Sequence, residues 1–272
     1  MGETDEMSEY QKRKKSDDMT FLMTVVVCLF AGLGAGLGTG LAGLSAAAVV
    51  SPMLITFLDI PAYQAIGIAL ASDVLASAVS AFTYWKNKNI DLKHGVIMLA
   101  SVLVFTLVGS FLASLIPDGQ LGTFSKGMTL LVGLKFIFKP VMTTKEVQEG
   151  KSEKQKIVQS IVCGIVIGMI CGFVGAGGGM MLLLVLTSVL GYELKTAVGT
   201  SVFIMAFTAF TGAASHFYIG GTPDIPVLIL CALFTLLFAR VGAKWANQAN
   251  AKMLNRVTGV VLSALGLVML FF

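Results

Sequence analysis

Two glycine-rich segments interrupt the apolar parts of this sequence, GLSAAAVVSP at residues 43–52 and GAGGGMMLLL at residues 175–184. Glycine weakens helices, and three consecutive glycines cost a continuous helix roughly 3 kcal/mol relative to alanine. We therefore predict that a helix breaks in each segment. Each opened helix N-terminus presents unpaired N–H groups and the positive end of the helix dipole, both of which suit a small anion. The predicted chemistry is non-covalent anion binding by the backbone.

The predicted site combines backbone N–H groups of both breaks with the hydroxyl group of Ser45. The candidate substrate-binding residues at the breaks are Gly43, Ser45, Ala46, Ala47, Gly175, Gly177, Gly178 and Gly179. Backbone that leaves a helix at membrane depth must be buried in protein or line a water-filled cavity. Transporters built from inverted repeats use such breaks as substrate sites. We therefore expect the two breaks to meet near the middle of the membrane.

Asp73 is the candidate proton-coupling residue. It lies eleven residues into the apolar run 62–85, near the bilayer centre, where an unpaired carboxylate costs a few kcal/mol or more. It must therefore face the protein interior, either as a carrier of the coupled proton or as a structural carboxyl group bonded to Ser72, Ser77 or a broken helix. Because an ionised Asp73 would repel an anion, we expect it to act protonated or to carry the proton that accompanies transport.

The four cysteines offer an alternative chemistry. Cys28, Cys163, Cys171 and Cys231 all lie in apolar segments, where thiols usually pack as small hydrophobic groups. A membrane-embedded thiol redox enzyme that uses Cys163 and Cys171 is the rival hypothesis from another functional class. The sequence contains no zinc-type cysteine spacing, P-loop, dinucleotide fingerprint or catalytic triad pattern. We therefore predict a protein that is not an enzyme, without a metal, a cofactor or a nucleic-acid partner.

The composition indicates which elements position these residues. The 272-residue chain is 56% hydrophobic and 12% charged, with a mean hydropathy of +0.86, and soluble domains carry about twice that charged fraction. Apolar runs recur at residues 21–58, 62–85, 96–116, 157–191, 197–219 and 225–239. A membrane span needs roughly 20 such residues. These features predict an all-α integral membrane protein that crosses the bilayer many times, with the bilayer itself as a partner.

The sequence contains an internal duplication. A shift of 132 residues aligns Gly32, Gly36, Gly40 and Gly43 with Gly164, Gly168, Gly172 and Gly175, and a shift of 133 aligns Asp91 with Asp224. We therefore divide the chain into a polar N-terminal tail (1–19), a first repeat (20–138), a linker (139–156) and a second repeat (157–272). The linker is expected in the cytoplasm, and the polar tail is not a cleavable signal peptide.

Lysine and arginine indicate how the two repeats are oriented. Residues 86–93 contain three lysines, whereas the matching residues 218–224 contain no basic residue; residues 116–123 contain none, whereas the matching residues 244–256 are basic. Under the positive-inside rule the two repeats are inverted relative to each other. The predicted elements are 21–40, 44–58, 62–85, 93–116 and 121–138, then 157–172, 178–191, 195–219, 225–244 and 252–272.

Two features of these elements bear on the breaks. The second element of each repeat is too short for a perpendicular span, which predicts a half-helix or a re-entrant segment. The glycines before each break recur every four residues, at 32, 36 and 40 and again at 164, 168 and 172. This spacing is also typical of close helix packing. For these six residues, a role in the helix break and a role in helix packing therefore both remain open.

The GAGGG segment and the AVGTS segment at residues 197–201 resemble the TauE/SafE family of sulfite exporters and related permeases. The first repeat keeps Gly43 and Pro52 and has LSAAA and AIGIA at the matching places. The resemblance covers both repeats, and it implies a multi-pass permease for small sulfur-containing or organic anions. It also implies that Thr200 and Ser201 contact the substrate.

The leading hypothesis is a secondary anion transporter that works by alternating access and is coupled to protons. The expected substrate is sulfite or a related sulfur oxyanion or organosulfur anion. A passive anion channel and a cation carrier that uses Asp73 are alternatives. We expect a location in the cell membrane and allow for a homodimer.

Overall fold

The computed structural model describes residues 2–113, 134, 138, 152–174, 178–220, 222–250, 252–254, 256–257, 259–260, 263–264 and 267. Its helices, in chain order, are α1 (Gly2–Ala42), α2 (Ala47–Leu58), α3 (Ala62–Lys86), α4 (Leu92–Ala113), α5 (Glu153–Val174), α6 (Gly178–Ser188), α7 (Leu194–Gly220) and α8 (Ile225–Gln248). No strand occurs among the described residues. The predicted all-α class is confirmed for this part of the chain.

Four of the helices are long and apolar enough to cross a membrane. These stretches are Phe21–Ala42, Gln64–Lys86, Leu194–Tyr218 and Ile225–Gln248. Large apolar side chains such as Phe30, Phe82, Phe210 and Val241 are exposed on the same helices. An extended apolar exterior of this kind suits contact with lipid rather than with water. The fold is therefore that of a helical membrane protein, as the composition predicted.

Helix α1 begins at Gly2, well before the apolar run, so the predicted polar tail is helical and continuous with the first span. The sequence analysis did not predict this extension. Glutamate, lysine, arginine and glutamine are good helix formers. Once the apolar run has formed a helix, adding residues to its end costs much less than starting a new one.

The predicted fifth element of each repeat falls mostly outside the described residues. Of residues 121–138, the structure describes Leu134 and Phe138, both of which are helical. The described residues between 252 and 267 are also helical. The first four predicted elements of the repeats correspond to α1–α4 and α5–α8, and the fifth stays a prediction.

Helix α1 ends where the first break was predicted. Gly43 has a φ of 64°, in the left-handed region that glycine adopts without steric cost, and the chain resumes a helix at Ala47. Helices α2 and α6 contain 12 and 11 residues, so at 1.5 Å per residue each is about 18 Å long or less. The break at Gly43 and the short second elements are confirmed. Of the second predicted segment, residues 175–177 lie outside the described residues, and Gly178 and Gly179 already belong to α6.

Glycines of α1 form a seam with α8. The neighbours of Gly32, Gly36 and Gly40 advance along α8 from Phe234 to Ala243, so the two helices run parallel. A side chain at these glycines would collide with the backbone of α8. The close-packing interpretation of the glycine stripe therefore holds for these three residues, because only glycine lets the two backbones approach this closely.

A matching seam joins α5 to α4. Gly164 lies against Met98 and Ser101, and Gly168 lies against Val102. These two helices also run parallel. The shifts of 132 and 133 residues carry the pair Gly168 and Val102 onto Gly36 and Thr235, which are likewise in contact. The close-packing interpretation therefore applies to Gly164 and Gly168 as well, whereas the surroundings of Gly172 fall outside the description.

We expect Gly36→Ala to destabilise the protein by about 1–3 kcal/mol, the usual cost of forcing extra volume into a packed interface. A Cβ atom at Gly36 would lie 2.5 Å from Thr235 O and 2.8 Å from Ala239 N, so α1 and α8 would have to separate. The measurement is thermal unfolding in detergent. Gly34→Ala is the matched control, because its Cβ atom would meet a single side-chain atom, Val49 Cγ1, at 3.2 Å. Equal melting temperatures for the two variants would contradict the seam.

Helices α3 and α7, which are equivalent under the 132-residue shift, pack against each other in the centre of the described structure. Gly67 near the start of α3 contacts Phe217 near the end of α7, and Tyr84 near the end of α3 contacts Gly199 near the start of α7. The two helices therefore run antiparallel. They bring the middle of α3, which carries Asp73, into the protein interior.

Candidate anion site beside the first helix break

The first helix break and the middle of α3 meet at the carboxyl group of Asp73. Ser45 Oγ donates a hydrogen bond of 2.7 Å to Asp73 Oδ2, and Ser77 Oγ donates one of 2.8 Å to Oδ1. The backbone amide of Ala46 interacts with the same carboxyl group. Asp73 is 1% exposed, so these donors replace the water that a carboxylate loses on burial. The predicted inward orientation of Asp73 is confirmed.

The partners of Asp73 differ in part from those the sequence suggested. Ser77 and the broken backbone were both expected as partners, and both contact the carboxyl group. Ser72 is not a partner, because its hydroxyl group donates to Ile68 O at 2.9 Å within α3. A serine in a helix commonly makes this bond to the carbonyl four residues earlier. Ser45, rather than Ser72, donates the second hydroxyl hydrogen bond to Asp73.

The start of α2 has few donors left over for a second acceptor. The N–H group of Ala47 donates to Ser45 Oγ at 3.3 Å, and that of Ala48 donates to Ser45 O at 3.1 Å. The N–H group of Val49 donates to Ala46 O at 3.1 Å. The carboxyl group of Asp73 itself lies at the N-terminus of α2, where the helix dipole favours negative charge.

The start of α6 lies against this break. A Cβ atom at Gly179 would be 2.8 Å from Gly43 O and 2.9 Å from Ser45 N. Ser201 of α7 contacts Gly43 from a second direction, and its hydroxyl group donates to Val198 O at 2.8 Å. The structure therefore brings the backbone of the first break together with residues from two helices of the second predicted repeat.

The predicted binding residues fall into four groups. Those that lie together around the first break are Gly43, Ser45, Ala46, Ala47, Gly179 and Ser201. Gly178 is the first residue of α6, and Gly175 and Gly177 lie outside the described residues. Thr200 lies elsewhere: its Oγ1 accepts a hydrogen bond of 3.2 Å from the backbone N–H group of Asp91. A role of Thr200 in substrate contact stays a prediction.

A polar cluster at the α3–α4 loop joins the two predicted repeats, and Thr200 belongs to it. Asp91 Oδ2 accepts a hydrogen bond of 2.9 Å from the hydroxyl group of Tyr192 and lies 2.7 Å from His94 Nδ1. Lys93 forms an ion pair with Glu153. This hydrogen bond to the Lys93 ammonium, together with its charge, lowers the pKa of the Glu153 carboxyl group.

A second part of the same cluster was not found from the sequence. Asn89 Nδ2 donates a hydrogen bond of 2.6 Å to Asn247 Oδ1, and Lys195 Nζ donates one of 2.8 Å to Asn247 O. The two asparagines are 158 residues apart, and no spacing in the sequence points to their contact. The cluster brings Lys93 of the first predicted repeat and Lys195 of the second to the same end of the molecule.

A cavity of about 400 Å³ opens beside this cluster. Its polar lining comes from Lys88, Asp91, Lys93, Tyr192, Glu193 and Thr196. The lining therefore combines two ammonium groups, two carboxyl groups and two hydroxyl groups. It lies at the same end of α3 as Tyr84 and the α3–α4 loop.

The thiol hypothesis is not tested by the described residues. Cys163 is buried on α5, and the side chain of Cys171 is not described. The described residues contain no group of three or more histidine, cysteine or acidic side chains that could hold a metal ion.

Comparison with known proteins gives consistent results over most of the chain. The "Probable membrane transporter protein YdhB" of Bacillus subtilis is 24% identical over 229 residues, which cover 84% of this chain and 93% of that protein. The "Probable membrane transporter protein MJ0441" of Methanocaldococcus jannaschii is 25% identical over 266 residues, which cover 93% and 98% of the two chains. No solved structure matches this chain.

The family comparison agrees with the resemblance seen in the glycine-rich segments. The family described as "Sulfite exporter TauE/SafE" matches residues 28–269, a range that includes the first break, the segment of the second predicted break, Asp73 and the polar cluster. Since this match spans most of the sequence, the chain belongs to the TauE/SafE sulfite exporter family.

Proposed function

We propose that this protein is a secondary transporter of the cell membrane that moves a small anion, such as sulfite or a related sulfur oxyanion, together with a proton. Asp73 is the proton carrier in this proposal. The anion binds at the first break, with donors from Ser45, Ala46 and the adjoining residues of α6 and α7. The observation that carries the proposal is that Asp73 already uses the donors that an anion would need.

Competition for these donors supplies the coupling. The ionised Asp73 carboxylate accepts from the hydroxyl groups of Ser45 and Ser77, and it would repel an anion at the same place. Protonation removes the charge and leaves the carboxyl group a weaker acceptor, since charge-assisted hydrogen bonds are roughly twice as strong as neutral ones. The hydroxyl group of Ser45 and the amide of Ala46 then become available to the substrate. Proton binding and anion binding therefore favour each other, which is the requirement for cotransport.

Alternating access needs two halves that move relative to each other, and several contacts support an inverted repeat. The equivalent helices α3 and α7 run antiparallel, and the α1–α8 seam has its counterpart in the α5–α4 seam. The side chain of Asp91 accepts from the N–H group of His94, and that of Asp224 accepts from the N–H group of Val227. Both pairs are related by the shift of 133 residues.

The short second helices end in matching ways as well. Asp59 after α2 and Gly191 after α6 have left-handed φ values of 51° and 75°, and the 132-residue shift relates them. The same shift relates the hydrogen bond from Ile60 N to Leu54 O with the one from Tyr192 N to Leu186 O. Correspondence in these caps, in addition to the glycines, supports two copies of one fold.

The test is uptake of radiolabelled sulfite by proteoliposomes under an imposed pH gradient. One proton per hydrogen sulfite ion, the monovalent form of sulfite, makes the cycle electroneutral, and one pH unit is worth about 1.4 kcal/mol, so about tenfold accumulation of hydrogen sulfite per pH unit is expected. Clamping the membrane potential at zero should leave this ratio unchanged. A passive anion channel would instead let sulfite follow the membrane potential and would not accumulate it in response to pH. That outcome would overturn the proposal.

A further inference from the structure

Helix α3 carries a row of polar side chains that starts at Asp73. Ser77, Ser80 and Tyr84 follow at intervals of four, three and four residues, which places all four on one face of the helix. Each of them is at most 1% exposed. At 1.5 Å per residue, the row extends about 16 Å from the middle of the span to its end.

Ser80 is the exceptional member of this row. Its hydroxyl oxygen is buried and has no hydrogen-bond partner among the described residues. Ser77 donates to Asp73 Oδ1, and Ser72 and Thr83 of the same helix donate to the carbonyl four residues earlier, Ile68 O and Val79 O. A buried hydroxyl group without a partner is destabilising. Ser80 therefore lacks a structural explanation, and its position points to a water molecule that visits this face of the helix.

One end of the row lies at the carboxyl group of Asp73, and the other end lies next to the polar cluster. At one end Ser77 already donates to Asp73 Oδ1 at 2.8 Å. At the other end the hydroxyl group of Tyr84 donates to Gly40 O at 2.9 Å, and the N–H group of Asn89 donates to Tyr84 O. Asn89 belongs to the polar cluster, beside which the cavity opens. The unpartnered Ser80 lies between the carboxyl group and the end of α3 beside which the cavity opens.

We propose that Ser80 and Ser77 hold a water chain through which Asp73 exchanges its proton with the end of the molecule that carries the α3–α4 loop. This inference rests on the proposed function, in which Asp73 is the proton carrier. A water molecule held by Ser80 donates a proton to Ser77 Oγ while the Ser77 hydroxyl proton passes to Asp73 Oδ1. Asp73 becomes neutral, Ser77 stays a neutral hydroxyl group, and the water regains its proton from the solvent side. One proton enters in total, and no charge remains on the serines.

The ionisable groups around the row allow this role. Among the described residues, the groups that contact Asp73 are two hydroxyl groups and an amide, and no charged side chain pairs with it. Tyr84 is the other ionisable side chain of the row. Asp91 and His94 lie beyond its far end, with Lys93 and Glu153 paired next to them. His216 of α7 lies near the opposite end of α3, against Gly67.

The test compares two modes of transport in Ser80→Ala. Net sulfite uptake driven by a pH gradient requires Asp73 to take up and release a proton in each cycle, whereas sulfite exchange at equal pH on both sides does not. We expect Ser80→Ala to slow net uptake about tenfold, a modest part of the roughly 10²–10⁴ that positioned proton-transfer groups contribute. Exchange should stay at the wild-type rate. Ser80→Thr restores the hydroxyl group and should recover net uptake.

Ser72→Ala is the matched control, because Ser72 is equally buried on the same helix but lies off the row and bonds within α3. Alanine favours helix and removes a buried hydroxyl group without a partner, so Ser80→Ala should fold at least as stably as the wild type. Wild-type net uptake in Ser80→Ala, with coupling lost in Asp73→Asn, would overturn the water chain and keep the proposed function. Wild-type coupling in Asp73→Asn would overturn the proposed function itself.

Discussion

Asp73→Asn should abolish proton-driven accumulation of sulfite while the protein still folds and binds the anion. The asparagine side chain has nearly the shape of a protonated aspartic acid but cannot release a proton. In proteoliposomes with a gradient of one pH unit, the wild type should accumulate sulfite about tenfold. The variant should stay at a ratio of about one. Exchange of sulfite at equal pH should persist, since it needs only the neutral form of residue 73.

The substitution Asp73→Asn also tests whether residue 73 couples transport to protons or only supports the structure. If the donors of the first break are shared between Asp73 and the substrate, a permanently neutral side chain frees them, so the variant should bind sulfite at least as tightly as the wild type. Its affinity should also lose its pH dependence around the titration of Asp73. Both properties can be measured by thermal stabilisation with sulfite over a range of pH, because a ligand that binds only the folded form raises its stability.

Two outcomes of that experiment would count against a coupling role. A variant that does not fold would indicate that the carboxylate is needed to hold Ser45 and α2 in place. Asp73→Glu and Ser45→Ala would then show whether the loss follows the hydrogen bond or the charge. A variant that still accumulates sulfite about tenfold per pH unit would place the proton elsewhere in the molecule.

The sequence predicted the burial of Asp73 and its contacts with Ser77 and the broken backbone, but not its contact with Ser45. A single carboxylate in a long, otherwise apolar run must face the interior, which is why this burial could be predicted. Its main donor, Ser45, lies 28 residues away and reaches it only because Gly43 turns the chain with a positive φ. The direction of that turn depends on packing against α6 and α7, which no local pattern in the sequence encodes.

The pairing of helices could likewise be predicted from the sequence only in part. A glycine every fourth residue predicts that a helix packs closely against another, and Gly36 does so. The partner, α8, comes from the far end of the chain, and its matching surface contains Thr235 and Ala239 rather than a second glycine stripe. The contact between Asn89 and Asn247 is equally remote. Periodicity therefore identifies a packing face, whereas the identity of the partner depends on the whole topology.

Alanine at Gly179 should stop transport by disturbing the place where α6 touches the first break. Its Cβ atom would lie 2.6 Å from Met205 Sδ, 2.8 Å from Gly43 O and 2.9 Å from Ser45 N. The methionine side chain can move aside, but the two backbone atoms belong to the break itself. Ser45 would therefore shift away from Asp73, and a displacement of this size at a binding site commonly costs about 10²-fold in rate. We expect both sulfite exchange and net uptake to fall by that order.

Other glycine substitutions show whether the loss of transport in Gly179→Ala arises at the first break. Gly212→Ala on α7 is the control, because its Cβ atom would meet only the flexible side chain of Leu70, at 3.0 Å, and it should transport nearly as the wild type does. Gly43→Ala should fail more severely than Gly179→Ala, since alanine is strained at a φ of 64° by about 1–2 kcal/mol and would also collide with Ser201. Adding Ser201→Ala removes that collision but not the strain, so it should restore Gly43→Ala only in part. Wild-type transport in Gly179→Ala would mean that the contact between α6 and the first break has no role in the site.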